Sequence, residues 1–216
     1  MISKNLKNRI YTTVALFALL YLIFIYEIVL IYSLIVLSVL SIIEFLNLTK
    51  KIFKSKLNFF LINSLFFFYT LIFCSIFFFL TGTIGSKIIL YIILIGCIAS
   101  DIGGFIFGKL FKGPKLTHIS PNKTYSGAIG SLILTIMVMS LLFFYIIKFL
   151  SIEILIVSFM TSIFCQLGDL LFSYLKRRAK QKDTGNIFPG HGGALDRLDG
   201  IYLGLPSGFI TMLLIS

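Results

Sequence analysis

The chain has 216 residues, of which 58% are hydrophobic and 12% are charged. A soluble domain of this length would carry about a quarter charged residues, so the composition excludes a mainly soluble chain. The net charge of +11 is compatible with binding of nucleic acid. In a membrane protein, however, basic residues usually mark cytoplasmic loops and contacts with anionic headgroups. We therefore predict an all-α, polytopic membrane protein that lies in a lipid bilayer and binds no nucleic acid.

Apolar runs long enough to cross a bilayer predict about seven transmembrane helices. The basic and apolar start is similar to a signal peptide, but no small-residue cleavage site follows it. The first two runs are therefore predicted to form a hairpin that stays in the membrane. Gly204, Pro206 and Gly208 interrupt the last run. The runs cover residues 10–26, 28–43, 57–80, 88–107, 128–149, 152–172 and 201–215.

The distribution of basic residues predicts the orientation of these helices. With the N-terminus in the cytoplasm, every lysine and arginine except Lys87 and Lys148 falls in a cytoplasmic segment. The same topology places all five aspartates at or near the cytoplasmic side, and Glu27 and Glu153 at the outer side. Each cysteine lies inside an apolar run, which favours buried thiols over a metal site or a disulfide.

Between Gln166 and Gly200 the otherwise apolar sequence holds four of the five aspartates and six of the nineteen basic residues. Acids inside a membrane span are expensive and usually functional, which favours a functional role for Asp169. If the sixth helix continues into the cytoplasm, one face of it carries an acid, a hydroxyl and cations that could hold a metal ion and a phosphate. For Arg178 and Lys180 a solvated helix end is the preferred interpretation. The residues of this face are Asp169, Ser173, Lys176, Arg177 and Lys180.

A glycine-rich segment follows at residues 182–193. Its glycines and Pro189 prevent a regular helix and let backbone N–H groups approach a ligand closely, which would suit an oligophosphate. A generic glycine-rich loop is more often only a turn, and His191 alone could be structural or catalytic. The glycines are Gly185, Gly190, Gly192 and Gly193.

Further acids and phosphate-binding candidates lie on both sides of this segment. Asp196 and Asp199 are three residues apart, so on a helix they share one face, where their carboxylates could bind Mg²⁺. The alternative is that they are ordinary acids in the first turn of a surface helix. Asp101 adds a third carboxylate at the membrane edge, and its neighbours Gly103 and Gly104 permit close helix packing. The loop 120–127 supplies phosphate-binding candidates. They are Ser120, Lys123 and Thr124.

This inventory of acids and bases at one membrane edge favours metal-assisted phosphoryl or nucleotidyl transfer on a lipid. No HExxH motif, Walker loop or dinucleotide fingerprint is present in the sequence, and no covalent nucleophile stands in an obvious setting. A general base is hardly needed, because a lipid phosphate is already ionised near neutral pH.

The polar stretch resembles the phosphatidate cytidylyltransferase family, the CDP-diacylglycerol synthases. The family pattern runs S-x-x-K-R, four residues, K-D-x-G, then P-G-H-G-G-x-x-D-R-x-D, and every fixed position is filled between Ser173 and Asp199. A second block is similar upstream, although Gly104 replaces the usual alanine and Tyr125 the usual tryptophan. The matching residues of that block are Ser100, Asp101, Gly108, Lys109, Phe111, Ser120, Pro121, Lys123, Thr124 and Gly127.

The resemblance covers the chain from about Ser100 to its end, so we divide the chain into membrane helices 1–99 and a catalytic region 100–216. It implies transfer of CMP from CTP to phosphatidic acid at the cytoplasmic face of the inner (plasma) membrane, by a homodimer. It also implies Mg²⁺, with K⁺ as a second cation, at Asp169 and Asp196. The implied catalytic residues are Ser173, Lys176, Arg177, Lys182, Asp183, His191, Arg197 and Asp199. The implied substrate-binding residues are Asp101, Ser120, Lys123, Thr124, Gly185, Gly190, Gly192 and Gly193.

Two other functions remain open at this point. A CTP-dependent polyprenol or phytol kinase would use similar carboxylates with an alcohol acceptor. A cation transporter could use Asp101 and Asp169 as ion ligands, but it would not need a lysine-rich glycine loop. A CDP-alcohol phosphatidyltransferase is disfavoured because its D-G-x-x-A-R pattern is absent after Asp199-Gly200.

Overall fold

The computed structural model describes residues 4–117, 120, 123–187 and 192–215. This part of the chain forms helices and no β-strand, which confirms the all-α prediction. An isolated antiparallel bridge pairs Lys115 with Thr124 in the loop between the fourth and fifth helices. The helices are α1 (Lys4–Ile25), α2 (Glu27–Ile52), α3 (Lys56–Leu80), α4 (Ile84–Phe111), α5 (Tyr125–Ile147), α6 (Ile152–Arg178), α7 (Leu195–Leu198) and α8 (Ile201–Ile215).

Six spans in the described part are long and apolar enough to cross a membrane, where about seven were predicted. The helix outside this set is α1, which begins with Lys4, Lys7 and Arg9. Pro206 lies inside α8 without ending it, so the last predicted run is helical throughout. The spans are Glu27–Ile52, Lys56–Leu80, Ile84–Phe111, Tyr125–Ile147, Ile152–Arg178 and Leu195–Ile215, the last of which comprises α7 and α8.

The chain divides into two compact units, each of which is made of two separate stretches of the sequence. The first unit holds α1, α2 and α3 through Phe79, together with the segment Leu175–Leu198. The second unit holds Leu80–Tyr174 and the residues from Asp199 through α8. Helix α6 therefore contributes its last turn to the first unit and the rest of its length to the second. The proposed division at residue 99 concerns function and stays a prediction.

In the first unit, an aromatic stack and a hydrogen bond between side chains join α2 to α3. The rings of Phe45 and Phe66 stack with centroids 3.9 Å apart. The hydroxyl of Thr49 lies 3.0 Å from Oδ1 of Asn63. These pairs join residues 45 and 49 of α2 to residues 66 and 63 of α3.

In the second unit, glycines bring α4 and α5 into close contact. A Cβ atom on Gly103 would lie 2.6 Å from the carbonyl oxygen of Gly130, and one on Gly104 would lie 2.8 Å from Oγ of Ser131. The hydroxyl of Ser131 donates to the carbonyl of Ser100 across the same interface, at 2.7 Å. The prediction that Gly103 and Gly104 permit close helix packing is therefore confirmed.

Candidate functional site

The predicted site residues fall into both units, and the predicted metal ligands Asp169 and Asp196 belong to different units. Helix α6 carries the first of these residues and ends at Arg178. Its end is a Schellman motif, in which the Gln181 N–H donates to the Lys176 carbonyl and the Lys180 N–H donates to the Arg177 carbonyl. Because Lys180 has a φ of 56°, it lies beyond the helix and not on the face predicted to hold it.

In the first unit, the centre of the polar cluster is an ion pair between α6 and α7. Nζ of Lys176 lies 2.7 Å from Oδ1 of Asp196, and their side chains are 11% and 4% exposed. The other oxygen of Asp196, Oδ2, accepts the backbone N–H of Thr184 at 2.8 Å and that of Gly193 at 3.0 Å. The carboxylate of Asp196 thus ties the end of α6 to both sides of the glycine-rich segment.

A second buried acid, Glu44 of α2, lies in the same cluster and was missed in the sequence analysis. Its residue exposure is 3%. Oε2 accepts the hydroxyl of Thr184 at 2.7 Å and the N–H of Leu195 at 2.9 Å, and Oε1 accepts the N–H of Ala194 at 3.0 Å. The available signal was an acid inside an apolar helix, the same signal that identified Asp169. The predicted second run was ended at Ile43, so that Glu44 fell outside it.

Thr184 lies between the two buried carboxylates. Its hydroxyl oxygen is 2.7 Å from Oε2 of Glu44 and 3.1 Å from Oδ2 of Asp196. A hydroxyl has one hydrogen to donate, and the shorter distance favours donation to Glu44. The backbone N–H of Thr184 serves Asp196 instead, so one residue connects both acids.

The glycines of this segment leave room for these carboxylates. A Cβ atom on Gly185 would lie 2.5 Å from Oε1 of Glu44, and one on Gly193 would lie 2.3 Å from Oε2. A Cβ atom on Gly192 would lie 2.7 Å from Oδ2 of Asp196, and its φ of +85° is unfavourable for other residues. Contact with buried carboxylates accounts for these glycines, and their predicted role in binding a phosphate stays a prediction.

Four other predicted catalytic residues of the first unit have exposed side chains. Among them, Arg177 donates through Nη1 to the carbonyl of Gln181 at 3.3 Å. Cations with exposed side chains can reach an anionic substrate, as the prediction requires. These exposed residues are Arg177, Lys182, Asp183 and Arg197. The predicted site residues Gly190 and His191 lie outside the described residues.

In the second unit, Asp169 of α6 pairs with Lys123 of the loop before α5. Nζ of Lys123 lies 2.5 Å from Oδ2 of Asp169, whose side chain is 33% exposed. The hydroxyl of Ser173, one turn further along α6, lies 3.5 Å from Oδ1 of Asp169. The structure therefore brings together one predicted metal ligand, one predicted phosphate-binding lysine and one predicted catalytic serine.

The remaining predicted residues of the second unit lie at helix contacts and helix starts. Asp101 of α4 is exposed, and its Oδ1 atom lies 3.8 Å from the thiol of Cys165. Asp199 is buried and accepts the N–H of Gly200 at 2.9 Å. The hydroxyl of Thr124 caps α5 by accepting the N–H of Gly127 at 3.1 Å. Ser120 is buried, and its N–H donates to Thr117 at 3.2 Å.

Among the residues that the structure describes, neither predicted metal ligand belongs to a preformed cage of acidic, histidine or cysteine side chains. Within the described residues, no group of three or more histidine, cysteine or acidic side chains is placed to hold a metal ion. Oδ1 of Asp169 lies 3.5 Å from the Ser173 hydroxyl, and Oδ1 of Asp196 lies 2.7 Å from Nζ of Lys176. One or two carboxylate ligands are sufficient for Mg²⁺, which usually takes its other ligands from water and substrate phosphates.

These features define a polytopic α-helical membrane protein in which an ion pair and a second acidic side chain are buried in or next to the spanning helices. A family model described as the Cytidylyltransferase family matches residues 1–215, and the chain belongs to that family.

Curated relatives agree with this assignment. The chain is 44% identical over 132 residues to a phosphatidate cytidylyltransferase of Staphylococcus haemolyticus, a match that covers 60% of the chain and 50% of the relative. It is 38% identical over 120 residues to one of Helicobacter pylori, with 56% and 45% covered. It is also 38% identical over 122 residues to one of Mycobacterium leprae, with 56% and 38% covered. The matched part of the chain spans half or less of the length of these relatives.

Proposed function

We propose that this protein transfers CMP from CTP to phosphatidic acid, releasing pyrophosphate and forming CDP-diacylglycerol for phospholipid synthesis. The observation that carries the proposal is the 38–44% identity to relatives named phosphatidate cytidylyltransferase. The geometry supports it, because cations and carboxylates cluster at the ends of apolar helices. An enzyme that joins a lipid-anchored phosphate to a soluble nucleotide needs polar groups at such a boundary.

In the proposed reaction, an oxygen of the phosphatidate phosphate attacks the α-phosphorus of CTP. A new P–O bond forms while the bond from the α-phosphorus to the bridging oxygen of the β-phosphate breaks, and its electron pair leaves with pyrophosphate. Both reactants are anions, so the main task of the protein is to offset their repulsion and to align them. The exposed cations Arg177, Lys182 and Arg197 are suited to neutralising phosphate charge.

We propose Asp169 and Asp196 as ligands of Mg²⁺, with K⁺ as a second cation. Bound Mg²⁺ would reduce the charge on the phosphates and stabilise the departing pyrophosphate. At Asp169, the half-buried carboxylate and the Ser173 hydroxyl provide oxygen atoms, and Lys123 holds the carboxylate in place. At Asp196, a metal ion would compete with the ammonium group of Lys176 for Oδ1.

The orientation and assembly of the protein are part of the same proposal. The basic segments support a cytoplasmic N-terminus and a site that faces the cytoplasm, in the inner (plasma) membrane of the cell. We also propose that the working form is a homodimer.

The direct test is an assay of purified protein with labelled CTP and several lipid acceptors. We expect labelled CDP-diacylglycerol from phosphatidic acid when Mg²⁺ is present and none when it is chelated. Product from a polyprenol but none from phosphatidic acid would favour a lipid kinase and refute the proposal.

The same assay tests the proposed ligands. Asp169→Ala and Asp196→Ala should each lower turnover by at least about a hundredfold, as expected for loss of a group that stabilises transition-state charge. Glu153→Gln, at an acid in the first turn of α6, is the matched control and should leave turnover unchanged. Near-normal turnover in either alanine variant would remove that residue from the metal site.

A further inference from the structure

We propose that Glu44 is a positioning residue for the transfer reaction, acting on the glycine-rich segment from inside a membrane helix. In this role it holds residues 184–185 and 192–195, the two sides of the segment, in the shape that binds CTP. The inference rests on the proposed function for the identity of the nucleotide, whereas the contacts that support it do not depend on that function.

The first argument is the cost of placing this side chain where it lies. Glu44 is 3% exposed and belongs to a spanning helix whose other buried residues are apolar, serine or threonine. A buried carboxylate is costly unless donors compensate it. Both of its oxygens are used, since Oε2 accepts from Thr184 and Leu195 and Oε1 accepts from Ala194. These partners lie 140 to 151 residues away along the chain, so the acid fixes a long-range contact.

The second argument is the division of backbone donors between Glu44 and Asp196. Gly193, Ala194 and Leu195 present three consecutive N–H groups at the start of α7. The first donates to Asp196, and the other two donate to Glu44. Loss of Glu44 would leave two of these groups without their acceptor, directly beside a proposed metal ligand.

The third argument is the fit of the glycines around the carboxylate. Cβ atoms on Gly185 and Gly193 would lie 2.5 Å and 2.3 Å from the oxygens of Glu44. A larger residue at either position would displace a side chain that three hydrogen bonds hold in place. Gly185 and Gly193 are therefore packed directly against Glu44, and the acid fixes where these two glycines can lie.

Glu44 is a positioning residue and not a catalytic one, because its oxygens are buried and occupied by protein donors. Its effect on the reaction would pass through Thr184, which contacts both acids, and through the N–H groups of Ala194 and Leu195, which follow the Asp196 donor Gly193. We therefore expect its loss to weaken CTP binding selectively, while binding of phosphatidic acid changes little.

The experiment compares Glu44→Gln with the wild-type protein and with Glu27→Gln, a matched change at the exposed first turn of the same helix. A glutamine amide group would meet N–H donors where a carboxylate oxygen now accepts. Loss of hydrogen bonds to a charged acceptor should raise the KM for CTP about 10- to 100-fold. The KM for phosphatidic acid should change less than about twofold, and Glu27→Gln should match wild type.

Two further measurements do not depend on turnover. Hydrogen exchange of the peptide that covers residues 184–195 should become faster in Glu44→Gln and should stay unchanged in Glu27→Gln. Equilibrium binding of labelled CTP without phosphatidic acid should weaken by the same factor as the KM. Unchanged exchange and unchanged CTP binding in Glu44→Gln would overturn the proposal.

The Thr184 variants keep the test decisive if Glu44→Gln does not fold. Thr184→Ser retains the hydroxyl and should bind CTP nearly as wild type does, whereas Thr184→Val removes it and should bind CTP about tenfold more weakly. Equal CTP affinity in the serine and valine variants would contradict the role of Glu44.

The outcomes for the wild-type protein separate this inference from the proposed function. If wild type binds CTP but makes no CDP-diacylglycerol, the proposed reaction is wrong, and the CTP and exchange measurements still decide the role of Glu44. If wild type does not bind CTP, the positioning role for this nucleotide is wrong as well.

Discussion

The substitution Lys176→Met leaves the buried carboxylate of Asp196 without the ammonium group that lies 2.7 Å from its Oδ1 atom. Removing one partner of a buried ion pair typically costs about 3–5 kcal/mol, because the remaining charge stays buried. Asp196 retains the N–H groups of Thr184 and Gly193 at 2.8 Å and 3.0 Å, which compensate part of the loss. We therefore expect a loss at the lower end of the range, about 3 kcal/mol.

The assay is equilibrium unfolding in mixed detergent micelles, followed by far-ultraviolet circular dichroism because the chain has no tryptophan. Lys51→Met, at an exposed lysine in the last turn of α2, is the control and should cost less than about 1 kcal/mol. The double variant with Asp196→Asn removes both charges, so its cost should fall below the sum of the single costs by about 1–3 kcal/mol. A loss below about 1 kcal/mol for Lys176→Met, or additive costs in the cycle, would refute a buried and coupled ion pair.

Two further changes test the helix packing and the end of α6. Gly103→Ala should destabilise the second unit by about 1–3 kcal/mol, because its Cβ atom would lie 2.6 Å from the Gly130 carbonyl oxygen. The measurement is the rate of maleimide labelling of Cys97, which is buried on the same helix and should be labelled faster in Gly103→Ala. The control is Gly85→Ala, whose new Cβ would have no atom within 4 Å and which should leave the labelling rate unchanged. Lys180→Gly should stabilise the chain by about 0.5–1 kcal/mol in the same micelle unfolding experiment, because glycine adopts the left-handed conformation of this position without strain. A higher labelling rate in Gly85→Ala, or a destabilised Lys180→Gly, would contradict these interpretations.

Most of the fold follows from apolar runs, because a chain in a bilayer must satisfy its backbone hydrogen bonds within each helix. The helix boundaries were less predictable. The second predicted run ended at Ile43, whereas α2 continues to Ile52 and includes Glu44 among its buried residues. The predicted run ended before Glu44, although donors from a distant segment can hold a carboxylate inside a helix.

The candidate site was predicted as a set of residue types and not as a set of pairs. Local spacing indicated that Asp169, Lys176 and Asp196 belong to polar surfaces of the chain. It did not indicate that Lys176 pairs with Asp196 or that Lys123 pairs with Asp169. Each pairing joins residues on different helices or loops, so helical periodicity carries no information about it.

What the amino-acid sequence determined by itself is the all-α membrane architecture, the position of the polar segments and the motif that relates the chain to its family. These depend on local composition and on spacing within one helix or one loop. Only the tertiary structure decided that Glu44 and Asp196 both contact Thr184 and divide three consecutive N–H groups at the start of α7. It also decided that Gly185 and Gly193 make room for Glu44. The physical reason is that a buried carboxylate is stabilised by whichever donors the fold brings to it, and for Glu44 those donors lie 140 to 151 residues away.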